Sequence, residues 1–119
     1  MKPQELRDRL AAFASAVEDF SRPLLHKIET RDTAIQLRRA SSSAASHHRA
    51  AGRGRSHAEF TSKLSTALEE ADESLYWLEH LAAGGLAPEQ LLKKLIPESQ
   101  ELVAILTASV RTARGGGKA

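Results

Sequence analysis

Five arginines carry this chain's best prospects for chemistry. Arg49, Arg53 and Arg55 are interleaved with Gly52 and Gly54, and Arg38 and Arg39 stand about three helical turns earlier. A guanidinium presents a planar fork of donors matched to phosphate oxygens, and glycine lets backbone amides approach the same anion. The pattern points to phosphate, and so to RNA or DNA. The competing reading is a solvated turn whose arginines pair with carboxylates of the same or a neighbouring subunit. Repetition of a weak basic patch in an oligomer would raise its avidity without any new contact.

Other clusters lead to no catalysis. GlyArgGlyArgSer at 52–56 lacks the Gly-Lys-Ser ending of a phosphate loop and follows a helix where that motif follows a strand. His47, His48 and His57 raise the idea of a metal, but adjacent helical residues project about 100° apart and no carboxylate stands at ligand spacing beside them. A solvent-exposed or capping role is expected instead. Glu69, Glu70, Asp72 and Glu73 lack the inward Glu-x-x-His pairs of a di-iron bundle, since Tyr76 stands three residues after Glu73. They read as a solvated acidic face. No serine has an evident base and the chain has no cysteine, so no enzyme, no metal and no cofactor is expected.

Charge is divided along the chain. The 17 Lys and Arg against 15 Asp and Glu leave a net +2, but residues 22–63 hold nine basic and three acidic side chains, and residues 64–101 hold two basic and eight acidic. The opening MetLysProGlnGluLeuArgAspArgLeu places charges where a signal peptide needs an apolar run, and no window suits a membrane span. A cytoplasmic protein without a membrane partner is expected.

The elements that position these residues read as helices throughout. Leu6, Leu10, Phe13, Val17 and Phe20 recur every three or four residues, and Pro23 predicts a kink or restart before Leu24, Leu25 and Ile28. Thr30 or Asp32 can cap a second helix running to Ala51, with a small-residue middle from Ala40 to Ser46 that allows close approach of a neighbour. Ser56 and Glu59 form a capping box for a third helix with core positions Phe60, Leu64, Ala67, Leu68, Ala71, Leu75, Leu78 and Ala82, ending at Gly84 and Gly85. Pro88 opens a short helical turn that Pro97 is expected to break, and a fourth helix follows from Glu98 through Leu102, Leu106, Val110 and Ala113. Short connections make the helices antiparallel. The expected fold is all-α, an antiparallel up-down-up-down four-helix bundle over residues 1–114, with 115–119 as a disordered tail. On this register Trp77 and Leu81 project away from the core, with Tyr76 on the other flank. An exposed tryptophan and leucine imply an oligomer interface at Tyr76, Trp77 and Leu81.

Several stretches resemble a family of small bacterial four helix bundle proteins, which includes those encoded in ribosomal RNA intervening sequences. GlnLeuArgArgAla at 36–40 resembles the opening of the family's second helix, ArgAlaAlaGlyArgGlyArgSer at 49–56 its basic turn, and Glu59-Phe60 the start of its third helix. The stretches at 69–79 and 101–106 are similar to one branch of it. At 47 and 48, where relatives often carry Asn and an apolar or aromatic residue, this chain has two histidines. The resemblance implies a homo-oligomer, typically a five-membered ring. It also implies kinship with the accessory protein of diversity-generating retroelements, whose basic ring associates with a reverse transcriptase and with nucleic acid.

Overall fold

The structure, a computed structural model, describes residues 1–115. The helices are α1 (Pro3–Ser21), α2 (Arg31–Ala51), α3 (His57–Ala83) and α4 (Glu89–Gly115), with a short 3-10 turn at Pro23–His26. Each helix packs on the next and α1 closes on α4, while the Cα atoms of the diagonal pairs stay more than 8 Å apart among the described residues. Residues near the start of α1 and the end of α4 line one cleft, and Phe20 at the end of α1 lines another with Leu91 and Leu95 near the start of α4. The bundle is therefore antiparallel, up-down-up-down, with extents of 50 × 21 × 19 Å.

The stripe on α1 is buried as its spacing predicts, at Leu6, Leu10, Phe13, Val17 and Phe20. After the break at Pro23, Leu24 is buried but Ile28 is 92% exposed, so the apolar run does not continue inward as expected. Thr30 precedes α2 without capping it, because its hydroxyl donates instead to the Leu24 carbonyl at 2.8 Å and ties the corner together. The small residues Ala40, Ser41 and Ala44 are buried on α2, and α2 against α3 is the most extensive helix pair. Small side chains let the two backbones come close over a long seam.

Ser56 starts α3 by accepting the Glu59 amide on Oγ at 3.1 Å, while the Glu59 carboxylate reaches back to the Arg55 amide at 3.4 Å. The core register of α3 is Leu64, Ala67, Ala71, Ser74, Leu78 and Leu81, rotated from the expected one. Ser74 holds a core place because its hydroxyl donates to the Glu70 carbonyl at 3.0 Å, so the fold leaves no unmet polar group there. Consequently Ala82 is exposed, and Leu81 is fully buried rather than part of an outer surface. The helix ends in a Schellman motif: Leu86 N–H bonds the Leu81 carbonyl and Gly85 N–H the Ala82 carbonyl, with Gly85 at φ +63°.

The expected break at Pro97 does not occur, and α4 runs through it. Pro97 lies on the solvent side, where water can serve the carbonyl that lacks an intrahelical donor. The helix also includes Gly115, so the bundle extends one residue past the expected boundary; the rest of the expected tail, 116–119, lies outside the described residues. Among the described residues no helix is long and apolar enough to cross a membrane.

Candidate functional site

The antiparallel order brings the α2–α3 turn, the start of α1 and the end of α4 to one end of the bundle. Arg49, Arg53 and Arg55 are exposed there, and none pairs with a carboxylate among the described residues. Their one link to an α3 acid is the backbone contact from Arg55 to Glu59. The backbone amides of Arg53 and Gly54 donate to the Ala50 and Ala51 carbonyls, both at 3.0 Å, so the turn does not offer these amides to an anion as the glycines suggest. Gly54 serves packing instead: a Cβ there would stand 3.0 Å from the Phe60 nitrogen. Any phosphate binding at this turn rests on the guanidinium groups.

Arg38 and Arg39 separate. Arg38 lies on the α1 side of α2, only 25% exposed, and donates to the Glu18 carbonyl at 2.9 Å and to Ser21 Oγ at 3.0 Å. It caps the C-terminal end of α1 and is not available to a ligand, which corrects its assignment to the basic site. Arg39 points outward in a row with Ile35, Ser42, Ser46, Arg49 and Arg53, all exposed. On α3 the exposed row is Glu69, Asp72, Glu73, Tyr76 and Glu79. Adjacent helices thus carry outer faces of opposite charge.

Several cations at the same end escape a reading of the turn alone. Lys2 and Arg7 come from α1 and its approach, and Arg111 and Arg114 from the last turns of α4. Arg7 donates to Gln4 Oε1 at 2.6 Å and Arg114 to Ser65 Oγ at 3.2 Å, both neutral acceptors that leave the cationic charge in place. The signal for Arg111 and Arg114 was topological: a fourth helix antiparallel to the third must finish beside the α2–α3 turn.

The three histidines go separate ways. His47 Nδ1 lies 2.7 Å from Glu70 Oε1, a seam contact between α2 and α3 that spacing did not reveal. His57 Nε2 donates to the Ala113 carbonyl at 2.7 Å and caps α4. His48 is half-buried, its Nδ1 has no partner among the described residues, and burial, with a smaller effect from Arg7, lowers its pKa below the ordinary histidine value. Among the described residues no group of three or more His, Cys, Asp or Glu is placed to hold a metal ion. His48 and His57 instead flank a cleft of about 660 Å³ between the four helix ends, walled mainly by Leu6, Phe60, Leu64 and Ile105.

Of the three residues assigned to an oligomer interface, Tyr76 is 56% exposed and Trp77 is half-buried against the core. Tyr76 meets Trp77 edge-on, with centroids 4.8 Å apart, and Trp77 Nε1 donates to Glu73 Oε2 at 3.2 Å. Leu81, buried in its own subunit, offers no surface to a partner.

Comparison with known proteins adds a family and a fold. The sequence profile described as 23S rRNA-intervening sequence protein matches residues 5–108. No curated protein sequence matches at a significant level. A crystal structure from Bacteroides thetaiotaomicron, described as a protein of unknown function from the S23 ribosomal protein family, superposes with a TM-score of 0.85 at 27% identity. That alignment covers 94% of this chain and 100% of the other.

Proposed function

The chain belongs to the 23S rRNA-intervening sequence protein family, and on that premise we propose that it is a non-catalytic homo-oligomeric bundle presenting its basic end to RNA or DNA. One observation carries the reading. Arg49, Arg53 and Arg55 are exposed without carboxylate partners among the described residues, while Arg22 and Arg38 each have one and Arg9 has two. An arginine cluster without a carboxylate partner among the described residues suits phosphate, and Lys2, Arg7, Arg111 and Arg114 enlarge the field around it. The partner is a nucleic acid or a protein that handles one, such as a reverse transcriptase, in the cytoplasm.

The opposed charges of the outer α2 and α3 faces support both assembly and the rival function. A basic face on one copy against an acidic face on the next is a head-to-tail contact, and such contacts generate rings when the rotation closes. A ring of five is the size that the family resemblance implies. Arg39 and Arg49, the cations of that row within α2, are the residues that such a contact would engage, with Glu73 and Tyr76 opposite. Arg53 and Arg55 at the end of the bundle would remain for phosphate. In the rival reading the whole arginine set serves contacts between subunits and no nucleic acid binds.

The test is titration of a labelled single-stranded RNA at several salt concentrations, alongside light scattering of the assembly. Phosphate binding gives an affinity falling with salt, with a slope that drops by about 0.7 for each phosphate contact removed. The Arg53→Gln/Arg55→Gln protein should lose affinity and slope while keeping its mass. Intact mass with no RNA uptake by the parent protein at low salt would establish the adaptor reading, and a monomer would remove the ring.

A further inference from the structure

The basic end gathers cations without a free aromatic ring among them. Residues 1–8, 49–60 and 108–115 form that end and hold seven Lys and Arg against three acids, Glu5, Asp8 and Glu59. The acids keep their charge, and positive charge still prevails. At the opposite end residues 19–35 and 78–94 hold five of each sign. The cations are spread around a bundle whose cross-section is 21 × 19 Å. Arg7 and Arg49 line one recess between α1 and α2, Arg53 and Arg55 stand on the α2–α3 turn, and Arg114 meets Ser65 on the α3–α4 side. The aromatic rings lie elsewhere or are engaged. Phe13 and Phe20 are buried, and Tyr76 and Trp77 belong to the far half of α3. Phe60 is half-buried against the core, and His48 is half-buried beside Arg49. His57 is exposed, but its Nε2 donates to the Ala113 carbonyl and its ring lies 6.2 Å from that of Phe60. A guanidinium plane can also receive a base. Arg49, Arg53 and Arg55 form no side-chain hydrogen bond among the described residues that would hold such a plane in place.

Resting on the nucleic-acid reading above, we propose that the ligand is a double helix, held by the phosphates of both strands and bound without regard to sequence. Proteins that take single strands combine a basic groove with aromatic side chains on which the bases stack. This end has the charge without the stacking platform. A duplex needs no such platform: its bases are already stacked, and it carries one phosphate charge per about 1.7 Å of axis. Its two phosphate rows stand about 12 Å apart across the major groove of B-form DNA. Cations on three sides of the bundle end can meet both rows, whereas a single strand offers one. Phosphate contacts carry no sequence information.

Titration of the full chain with a short labelled single strand, and with the RNA and DNA duplexes of the same sequence and length, tests the idea. With about five phosphate contacts, slopes of log affinity on log salt that differ by roughly 0.2 per contact give each duplex about a tenfold advantage per tenfold fall in salt. A single strand whose bases are replaced by abasic sites should bind as tightly as the ordinary strand, since losing even one stacked base costs about fivefold or more. Arg7→Gln and Arg55→Gln, on different sides of the end, should each lower the duplex slope by about 0.9. His57→Ala, which removes an exposed ring, should leave the affinities in place. Either duplex bound no more tightly than the single strand, or a loss of about fivefold or more on removing the bases, would overturn the proposal and leave the nucleic-acid reading standing. Failure of strand and duplexes alike to bind at low salt would remove both.

Discussion

The two ends of the bundle differ in how their polar groups are met. At the end where α1 turns into α2 and α3 into α4, the Leu24 carbonyl takes the Thr30 hydroxyl and the Glu18 carbonyl takes Arg38. There Leu81 and Leu86 close the α3 terminus by the Schellman bonds. At the other end, among the described residues, Arg49, Arg53 and Arg55 have no carboxylate, His48 Nδ1 has no partner, and an apolar cleft stands open. Arginine content alone does not separate the two ends, since Arg22, Arg31 and Arg38 belong to the first. The difference is in the acceptors: at the first end Arg22 and Arg38 meet carboxylates of their own chain, though Arg31 does not, and at the other end none of Arg49, Arg53 and Arg55 meets one among the described residues.

The sharpest way to break this contrast is Leu81→Ala. A fully buried leucine under the α3 cap should cost about 2–5 kcal/mol on truncation, read from the midpoint of urea unfolding. A loss below 1 kcal/mol together with a smaller assembly mass would return Leu81 to the subunit interface. Next comes Arg38→Ala. Its hydrogen bonds to the Glu18 carbonyl and Ser21 are partly shielded from water, but that carbonyl keeps the Arg22 amide. The expected cost is therefore near the low end of the range for charged donors, about 1.5 kcal/mol. Arg39→Ala, one residue on and exposed, should stay within about 0.5 kcal/mol. An equal cost at both positions would remove the distinction between cap and surface.

Much of this was legible in the chain, and the misses share a cause. The stripe on α1, the capping box at Ser56 and the glycine terminus of α3 follow from local rules, and each stands where those rules place it. The α3 register was misread because Ser74 is polar by type yet occupies a core position once its hydroxyl bonds the preceding turn. Counting apolar residues then favoured Ala82 over Leu81 and turned the wrong face outward. Pro97 was read as a break, although a missing donor on a solvent-facing side leaves its carbonyl to water. At the basic site the turn arginines were visible in sequence. Arg38 looked like their equal because only the three-dimensional fold places the end of α1 beneath it, whereas Arg111 and Arg114 were overlooked although the expected antiparallel order already brings the end of α4 beside the turn.

A smaller effect should appear in the pH dependence of stability. Burial lowers the pKa of His48 in the folded chain, with Arg7 adding to the shift. The group adds no cost while it is neutral in both states, above the ordinary histidine value near 6.5. As pH falls below that value the unfolded chain takes up the proton first, so stability declines until pH passes the folded pKa. The chain has four other histidines, so the difference between the parent and His48→Gln isolates the contribution. Urea midpoints at pH 7.5 and 5.5, chosen to span about 6.5, should show a smaller acid loss in the variant. An identical loss would mean that the cleft wall does not hold His48 neutral.

The smallest stability effect should come from the residues with the largest proposed role. Arg53→Gln and Arg55→Gln remove exposed side chains that form no ion pair among the described residues, so each should change stability by no more than about 0.5 kcal/mol. The sign is informative. Arg53 and Arg55 share their end of the bundle with Lys2, Arg7, Arg49, Arg111 and Arg114, and clustered like charges repel. Removing one should therefore raise stability slightly at low salt, and the gain should fade as the screening length shortens to about 3 Å at 1 M salt. Thermal melts of the parent and both variants across that range check the expectation. A loss of 1 kcal/mol or more at either position would show that these arginines hold the fold together as Arg38 does, and the contrast between the two ends would fail where it matters most.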